Sequence, residues 1–193
     1  METKKGKIIV ICAPSGSGKS TIINNILDAG DIDMQFSISA TNRAPRPGEQ
    51  HGVHYYFMST DEFREAISRD EFIEWEQVYP GRYYGTLRSQ VIKAADEGHN
   101  VILDIDVKGA LSVKDIFGDQ ALTIFIKAPS LDDLRERLIA RGTDKPEVIA
   151  QRLAKAEYEL DFARKMDAVV VNADIDRAVA ETRSLITDFI ARD

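Results

Sequence analysis

Apolar residues along the chain fall into short β-branched runs that alternate with stretches of helical spacing. The runs at 8–11, 101–105, 121–127 and 168–171 contain few polar residues, which is typical of strands buried in a parallel sheet. Met34–Ser39 alternates apolar and polar positions and is the remaining predicted strand. Between these runs, apolar residues recur every three or four positions, as in amphipathic helices. The pattern predicts an α/β fold with a five-stranded, doubly wound parallel sheet.

The predicted helices are bounded by residues that suit helix ends. Gly30 and Gly142 each follow a helical segment, and glycine readily adopts the left-handed C-terminal cap. Ser130 stands before a helix with an acidic residue three positions on, which resembles a capping box. Pro146 suits the first turn of the next helix. The closing helix carries an apolar stripe from Ile175 to Ile190.

Residues 37–90 interrupt this alternation and predict a small mixed insertion beside the main sheet. The segment at 40–52, ATNRAPRPGEQHG, is too rich in proline and glycine for regular structure, and such loops often carry function. The other elements predicted here are two short strands, a helix and a Gly/Tyr-rich loop: His54–Phe57, Phe72–Trp75, a helix capped by Ser59 or Thr60, and Tyr79–Thr86.

Composition narrows the class of protein. The formal net charge of −7 argues against a nucleic-acid coat, although it leaves room for a local basic pocket. Cys12 is the only cysteine, which excludes an intrachain disulfide and a cysteine zinc site and suits a plain core thiol. The basic start METKKGK precedes an apolar run too short for a signal peptide, and no segment reaches membrane-spanning length. We expect a cytoplasmic protein with no nucleic-acid or membrane partner, and the sequence specifies neither a monomer nor a homo-oligomer.

The first strand leads directly into a phosphate-binding loop. The stretch IIVICAPSGSGKST joins a buried strand, two loop glycines, Lys19 and Ser20, and the start of a helix. Backbone N–H groups of such a loop surround phosphates, the lysine neutralises the outer ones, and the hydroxyl binds magnesium. Ala13 stands where this pattern has its first glycine, and an ordinary Gly/Ser turn is the alternative interpretation. The stretch predicts binding of a nucleoside triphosphate with Mg²⁺.

Two carboxylates close the strand VILDID, at the sheet edge where the phosphate loop also ends. Asp104 or Asp106 would hold the magnesium together with Ser20, although a strand ending in an Asx turn remains the alternative. The residues Arg43 and Arg46 lie in the proline-stiffened loop, and a guanidinium suits a phosphate dianion.

Further arginines follow on the helices after Ser130. Arg137 and Arg141 are four residues apart and share one helix face, and Arg152 lies on the next helix. For each of these arginines taken alone, the alternative interpretation is a solvated surface residue without a functional role. Together they predict cations that stabilise phosphoryl transfer.

Four segments closely resemble the guanylate kinases, which move the terminal phosphate of ATP to GMP. They are SISATNRAPRPGEQHGVHYYF, EFIEWEQVYPGRYYGT, VILDIDVKGA and RLIARGT, and the likeness extends from Ile8 to the closing helix. The resemblance implies a P-loop core at 1–36, 91–127 and 164–193, a GMP-binding insertion at 37–90 and a helical lid at 128–163. It implies Mg²⁺ as cofactor, and lid and insertion closing over the sheet to exclude water.

The resemblance also assigns roles to residues. Arg43, Arg46, Tyr55 and Tyr84 match positions that hold the GMP phosphate, while Glu74 matches the carboxylate that binds guanine. The full GMP set is Ser39, Arg43, Arg46, Tyr55, Glu74, Tyr84, Thr86, Asp104 and Asp106. The ATP set is Ala13, Pro14, Ser15, Gly16, Ser17, Gly18, Lys19, Ser20, Thr21, Arg137 and Asn172. The catalytic set is Lys19, Arg43, Arg141 and Arg152, and the metal ligands are Ser20 and Asp104.

Three functions remain distinguishable on these residues. The expected one is ATP-dependent phosphorylation of GMP, and of dGMP, giving ADP and GDP. A related P-loop kinase of a ribose bisphosphate would lack the guanine set Ser39, Glu74 and Thr86, which is present here. A non-catalytic guanylate-kinase-like binding module usually has a degraded phosphate loop, whereas Gly16 and Lys19 are intact.

Overall fold

The computed structural model describes residues 5–192, apart from the side chains of residues 78 and 79, so the first four residues of the basic start lie outside it. Within that range the elements are β1 (Ile8–Cys12), α1 (Lys19–Ala29), β2 (Met34–Phe36), β3 (Ala40–Thr41), β4 (Tyr56–Phe57), α2 (Thr60–Ser68), β5 (Phe72–Tyr79), β6 (Arg82–Leu87), α3 (Arg88–Asp96), β7 (Asn100–Asp104), α4 (Val107–Phe117), β8 (Ala121–Lys127), α5 (Leu131–Arg141), α6 (Pro146–Leu160), β9 (Ala168–Val171) and α7 (Ile175–Ile190). None of the helices in this range is long and apolar enough to cross a bilayer.

The main sheet has five strands in the order β2-β7-β1-β8-β9, which confirms the predicted doubly wound parallel α/β fold. β1 pairs in parallel with β8, from Ile8 opposite Ala121 to Cys12 opposite Phe125, and β8 pairs in parallel with β9. β1 is buried throughout, as its apolar run predicts. Burial is predicted wrongly for the run at 168–171, since β9 is largely exposed, as is β2. They are the two edges of the sheet, so neighbouring strands cover them on one side only.

Helix boundaries follow the local signals closely. Gly30 caps α1 with a left-handed φ of 65°, and Gly142 caps α5 with a φ of 67°. Ser130 is the N-cap of α5, where its Oγ accepts a hydrogen bond from the N–H of Asp133 at 3.0 Å. Pro146 is the first residue of α6. These ends are set by residues adjacent in sequence, and so the sequence alone predicts them.

Between residues 37 and 90, the structure contains more strand than the sequence pattern predicts. A second sheet has the order β4-β3-β6-β5, in which β3 lies within the stretch predicted to lack regular structure. The predicted Gly/Tyr-rich loop instead contains β6, and β5 extends past Trp75 to form a hairpin with it. Gly85 permits this close pairing, since a Cβ there would lie 2.8 Å from the carbonyl oxygen of Glu74. Pairing partners far apart in sequence therefore overrode the local turn signals.

Chain contacts divide the molecule into two compact units. One is built on Gln35–Ile102, and the other on Lys7–Met34 and the chain from Leu103 onwards. The first has a core in which the ring of Phe63 stacks on that of Phe72, with centroids 4.4 Å apart. The second includes a cluster in which Leu134 and Leu138 of α5 pack with Ala156 of α6. Each unit therefore has its own apolar support for the site residues it carries.

Candidate functional site

The loop after β1 has the geometry of a phosphate cradle. Gly16 and Gly18 have φ of 93° and 90°, in the left-handed region that side-chain-bearing residues rarely adopt. A Cβ on Gly18 would lie 2.3 Å from Nδ2 of Asn172, so this position has room only for glycine. Gly18 is also the N-cap of α1 and offers no side chain to the first N–H groups of the helix. Those donors are available to an anion at the positive end of the helix dipole.

Asn172 fixes the shape of this loop from the opposite end of the sequence. Its side chain is buried, and Nδ2 donates a hydrogen bond to the carbonyl oxygen of Ser17 at 2.8 Å. The backbone carbonyl oxygen of Asn172 accepts a hydrogen bond from the side chain of Arg137 at 2.7 Å. Sequence reasoning assigned Asn172 to the ATP site only through the family resemblance. Its hydrogen bond to Ser17, 155 positions away, stabilises the loop, and no local sequence pattern predicts this contact.

The two aspartates at the end of β7, Asp104 and Asp106, have different contacts. Asp104 forms an ion pair with Nζ of Lys19, and both side chains are largely buried. Asp106 is the N-cap of α4, and its Oδ1 accepts a hydrogen bond from the N–H of Gly109 at 2.8 Å. The capping alternative therefore holds for one oxygen of Asp106. Asp104 is the carboxylate beside the phosphate-loop lysine.

The three arginines of the predicted lid, Arg137, Arg141 and Arg152, differ in their surroundings. Arg152 contacts the hydroxyl of Ser15 in the phosphate loop, and its Nε lies 3.2 Å from Oδ2 of Asp144. Arg137 binds the backbone at Asn172, as described above. Arg141 is exposed at the last residue of α5. Of the three arginines, Arg152 therefore contacts the phosphate loop directly, and its ion-pair partner Asp144 was not among the predicted site residues.

In the other unit, Arg43 is held in a tight cluster of polar contacts. Its side chain is only 8% exposed, and its two terminal nitrogens each donate to one oxygen of Glu49 at 2.8 Å. Hydrogen bonds from Arg43 and from the N–H of Arg46 hold the pKa of Glu49 at about 2, well below its ordinary value. The same carboxylate raises the pKa of Arg43, against the opposing effect of burial. No local pattern singles out Glu49 in the sequence, where it is one acidic residue in an arginine-rich loop.

Aromatic rings surround this arginine. Its Cζ lies 5.4 Å from the ring centroid of Tyr55 and 5.7 Å from that of Phe57, which are cation–π distances. The rings of Tyr55 and Tyr84 meet edge to face at 6.0 Å. Arg46, by contrast, is exposed. The structure therefore gathers Arg43, Tyr55 and Tyr84, three of the predicted phosphate-binding residues, into one cluster.

A carboxylate and a hydroxyl are paired in the β5–β6 hairpin. The strand register sets Glu74 opposite Thr86, and the hydroxyl of Thr86 donates to Oε1 of Glu74 at 2.7 Å. Thr86 is buried and Glu74 half-buried, so the pair lies in a partly dehydrated setting. The half-buried Ser39 lies between β2 and β3, where its carbonyl oxygen accepts a hydrogen bond from the N–H of Tyr56 at 2.9 Å. A half-buried carboxylate is suited to a ligand that offers hydrogen-bond donors.

Comparison with known proteins places this arrangement in a family. The family model described as "Guanylate kinase" matches residues 5–189. A guanylate kinase of Bacteroides fragilis is 52% identical over 192 residues, covering 100% of this chain and 94% of that protein. One of Salinibacter ruber is 53% identical over 184 residues, covering 95% of this chain and 97% of that protein. The crystal structure of guanylate kinase from Anaplasma phagocytophilum matches with a TM-score of 0.73 at 30% identity, covering 100% of this chain and 90% of that one. The chain therefore belongs to the guanylate kinase family, whose members are enzymes that phosphorylate GMP with ATP.

Proposed function

We propose that the chain transfers the γ-phosphoryl group of ATP to GMP or dGMP, giving ADP and GDP or dGDP, through the residues described above. Its place is purine nucleotide metabolism, in the cytoplasm, where ATP and GMP are available. One observation carries the assignment to residues: the unit that contains the four-stranded sheet carries both the Arg43 cluster, suited to a phosphate, and the Glu74–Thr86 pair, suited to a base. GMP is a ligand with those two ends.

Recognition of guanine rests on hydrogen-bond complementarity at Glu74. Guanine offers adjacent N1–H and N2–H donors, whereas adenine presents an acceptor at N1. The carboxylate of Glu74 accepts two hydrogen bonds side by side, with Thr86 and Ser39 supplying hydroxyl groups beside it. A base that presents an acceptor to this carboxylate is rejected, because two acceptors repel and a partly desolvated carboxylate is denied the hydrogen bonds that guanine would donate.

The cations act on the phosphates of the two substrates. Lys19 and the loop N–H groups bind ATP, and Arg141 and Arg152 stabilise the charge of the group in transfer. Within the protein, Lys19 is paired with Asp104 and Arg152 with Asp144. Arg43 likewise receives the acceptor phosphate. Binding of the phosphates thus draws on charges already held in place by the protein, which lowers the cost of ordering them.

Mg²⁺ fits the donor set beside Lys19. A hydroxyl from Ser20 and a carboxylate from Asp104 are oxygen donors of the kind Mg²⁺ prefers, and it commonly uses one or two protein groups plus substrate phosphates. No cluster of three or more His, Cys, Asp or Glu side chains occurs among residues 5–192, which agrees with a metal held jointly by protein and ATP. When bound, Mg²⁺ neutralises charge on the phosphate oxygens of ATP.

Three functional segments follow from these roles. We assign residues 1–36, 91–127 and 164–193 to the P-loop core, residues 37–90 to the GMP-binding insertion and residues 128–163 to the lid. The contact of Arg152 with Ser15 supports the lid assignment, since it joins α6 to the phosphate loop.

The experiment that tests the function is a coupled assay of ADP release with GMP, dGMP, AMP and ribose phosphates as acceptors. We expect turnover with GMP and dGMP only, and dependence on added Mg²⁺. Turnover with a ribose bisphosphate would favour the related sugar-phosphate kinase instead. No turnover with any acceptor would favour a binding module.

A further inference from the structure

The guanidinium of Arg43 has its terminal nitrogens bound by the protein, whereas its Nε lacks a hydrogen-bond partner among the described residues. Its two terminal nitrogens donate to the two oxygens of Glu49 at 2.8 Å each, and NH1 also donates to the carbonyl oxygen of Ala44 at 2.8 Å. The edge formed by these two nitrogens is therefore fully used by the protein. The remaining bidentate edge of an arginine is formed by Nε and the second N–H of NH2.

Nε of Arg43 is buried and has no hydrogen-bond partner within the described residues. A buried donor without a partner is costly, and a guanidinium more than nine-tenths buried pays that cost only where something else compensates for it. The rings of Tyr55 and Phe57 contact the cation but accept no conventional hydrogen bond from Nε. The partnerless Nε, on the edge away from Glu49, thus points to a ligand that carries its own acceptor oxygens.

We propose that Glu49 is a positioning residue for the acceptor phosphate: it grips Arg43 by its two terminal nitrogens so that the Nε edge faces the phosphate of GMP. This inference rests on the proposed function. Glu49 itself does not touch the phosphate, since two anions repel. It sets the orientation of the cation that does.

A second contact extends the same role to the loop backbone. Oε2 of Glu49 accepts a hydrogen bond from the N–H of Arg46 at 2.6 Å. One carboxylate therefore ties the side chain of Arg43 to the backbone of Arg46, the two arginines expected at the GMP phosphate. Two prolines, Pro45 and Pro47, already restrict the backbone here, and the carboxylate restricts the arginine side chain. Fixing an arginine side chain costs rotamer entropy, and Glu49 imposes this loss before GMP arrives.

Removing the charge of Glu49 has two opposite effects on GMP binding. Loss of the carboxylate removes a repulsion of the phosphate, which favours GMP binding. It also frees Arg43 to rotate and to use the wrong edge, which disfavours GMP binding. Because the repulsion is screened by the intervening guanidinium whereas bidentate geometry is sensitive to orientation, we expect the second effect to dominate.

The test is calorimetric titration of Glu49→Gln with GMP, without ATP, and with guanosine, which lacks the phosphate. We expect GMP affinity to fall about tenfold to hundredfold, the range of one or two charge-assisted hydrogen bonds. Guanosine affinity should stay within twofold of the unmodified protein, because its contacts are at the base. In turnover, KM for GMP should rise more than kcat falls, and KM for ATP should not change.

Glu65→Gln is the matched control, because Glu65 also pairs with an arginine in the same unit but is exposed. It should leave both affinities unchanged. Glu49→Asp keeps the carboxylate and tests the proposal if the glutamine variant does not fold: it should bind GMP more weakly than the unmodified protein while binding guanosine equally well.

Two results would overturn the inference. Equal or tighter GMP binding by Glu49→Gln would mean that Glu49 is only a counter-ion. Equal losses for GMP and guanosine would mean that it only supports the loop. If the unmodified protein itself neither binds nor phosphorylates GMP, the proposed function fails, and this outcome is separate from the other two.

Discussion

Replacement of Glu74 by glutamine tests base recognition most directly. Glu74→Gln keeps the size of the side chain and turns one of its two acceptor oxygens into an NH₂ donor. Thr86 donates to Oε1 at 2.7 Å, and its hydroxyl is able to rotate and accept instead. In either amide orientation, guanine faces one acceptor fewer than before. The substitution therefore removes at least one charge-assisted hydrogen bond to the base.

The expected magnitude follows from that count. One hydrogen bond to a charged group contributes about 1.5–3 kcal/mol, which corresponds to a fall in kcat/KM for GMP of about 10- to 150-fold. AMP should lose nothing, because the new NH₂ group can donate to the acceptor at N1 of adenine. The ratio of kcat/KM for GMP to that for AMP should therefore fall at least about tenfold.

Steady-state kinetics with both nucleotides at saturating ATP measure this ratio. Glu71→Gln is the control, since Glu71 lies just before the same strand and pairs with Arg69 at the surface. It should leave the ratio unchanged. Full retention of the preference for GMP in Glu74→Gln would refute the assignment of Glu74 to the base.

Three further outcomes are expected elsewhere in the chain. Gly18→Ala should reduce kcat/KM for ATP at least about tenfold, because its Cβ would clash with Asn172, whereas Gly118→Ala, also at positive φ but in open space, should leave it unchanged. Burial acts to raise the pKa of Asp167, but hydrogen bonds from Thr123 and Lys114 outweigh it and lower the pKa. Asp167→Asn should therefore lower the free energy of unfolding in urea by about 1–2 kcal/mol at pH 7. This difference should shrink as the pH falls below the ordinary aspartate pKa, because stability that depends on a lowered native pKa is lost as the pH falls through that lower value; a difference that does not shrink with acid would contradict this. Burial raises the pKa of the Cys12 thiol to about 12, so it should resist a thiol reagent until the protein is unfolded, and rapid reaction of the native protein would contradict its burial.

Prediction from sequence succeeded where the determining residues are neighbours along the chain. The bounds of β8 and β9 match the apolar runs at 121–127 and 168–171, and Gly30 ends its helix as expected. The phosphate loop is likewise a continuous segment whose glycine and lysine spacing specifies its own backbone. The wrong predictions lie in the second sheet. The glycine and tyrosine residues of β6 locally predict a loop, whereas pairing with β5 makes the segment a strand.

The sequence by itself determined the α/β class, the phosphate loop and, through family resemblance, the acceptor nucleotide. Only the tertiary structure decided which groups meet: Asn172 with Ser17, Asp104 with Lys19, and Glu49 with the terminal nitrogens of Arg43. The physical reason is that backbone conformation responds to adjacent residues, whereas a buried charge or amide requires a partner whose position depends on the whole fold. Glu49 illustrates the difference. It lies six residues from Arg43 in sequence, but only the structure shows that it binds the terminal nitrogens of Arg43 and leaves Nε without a partner among the described residues.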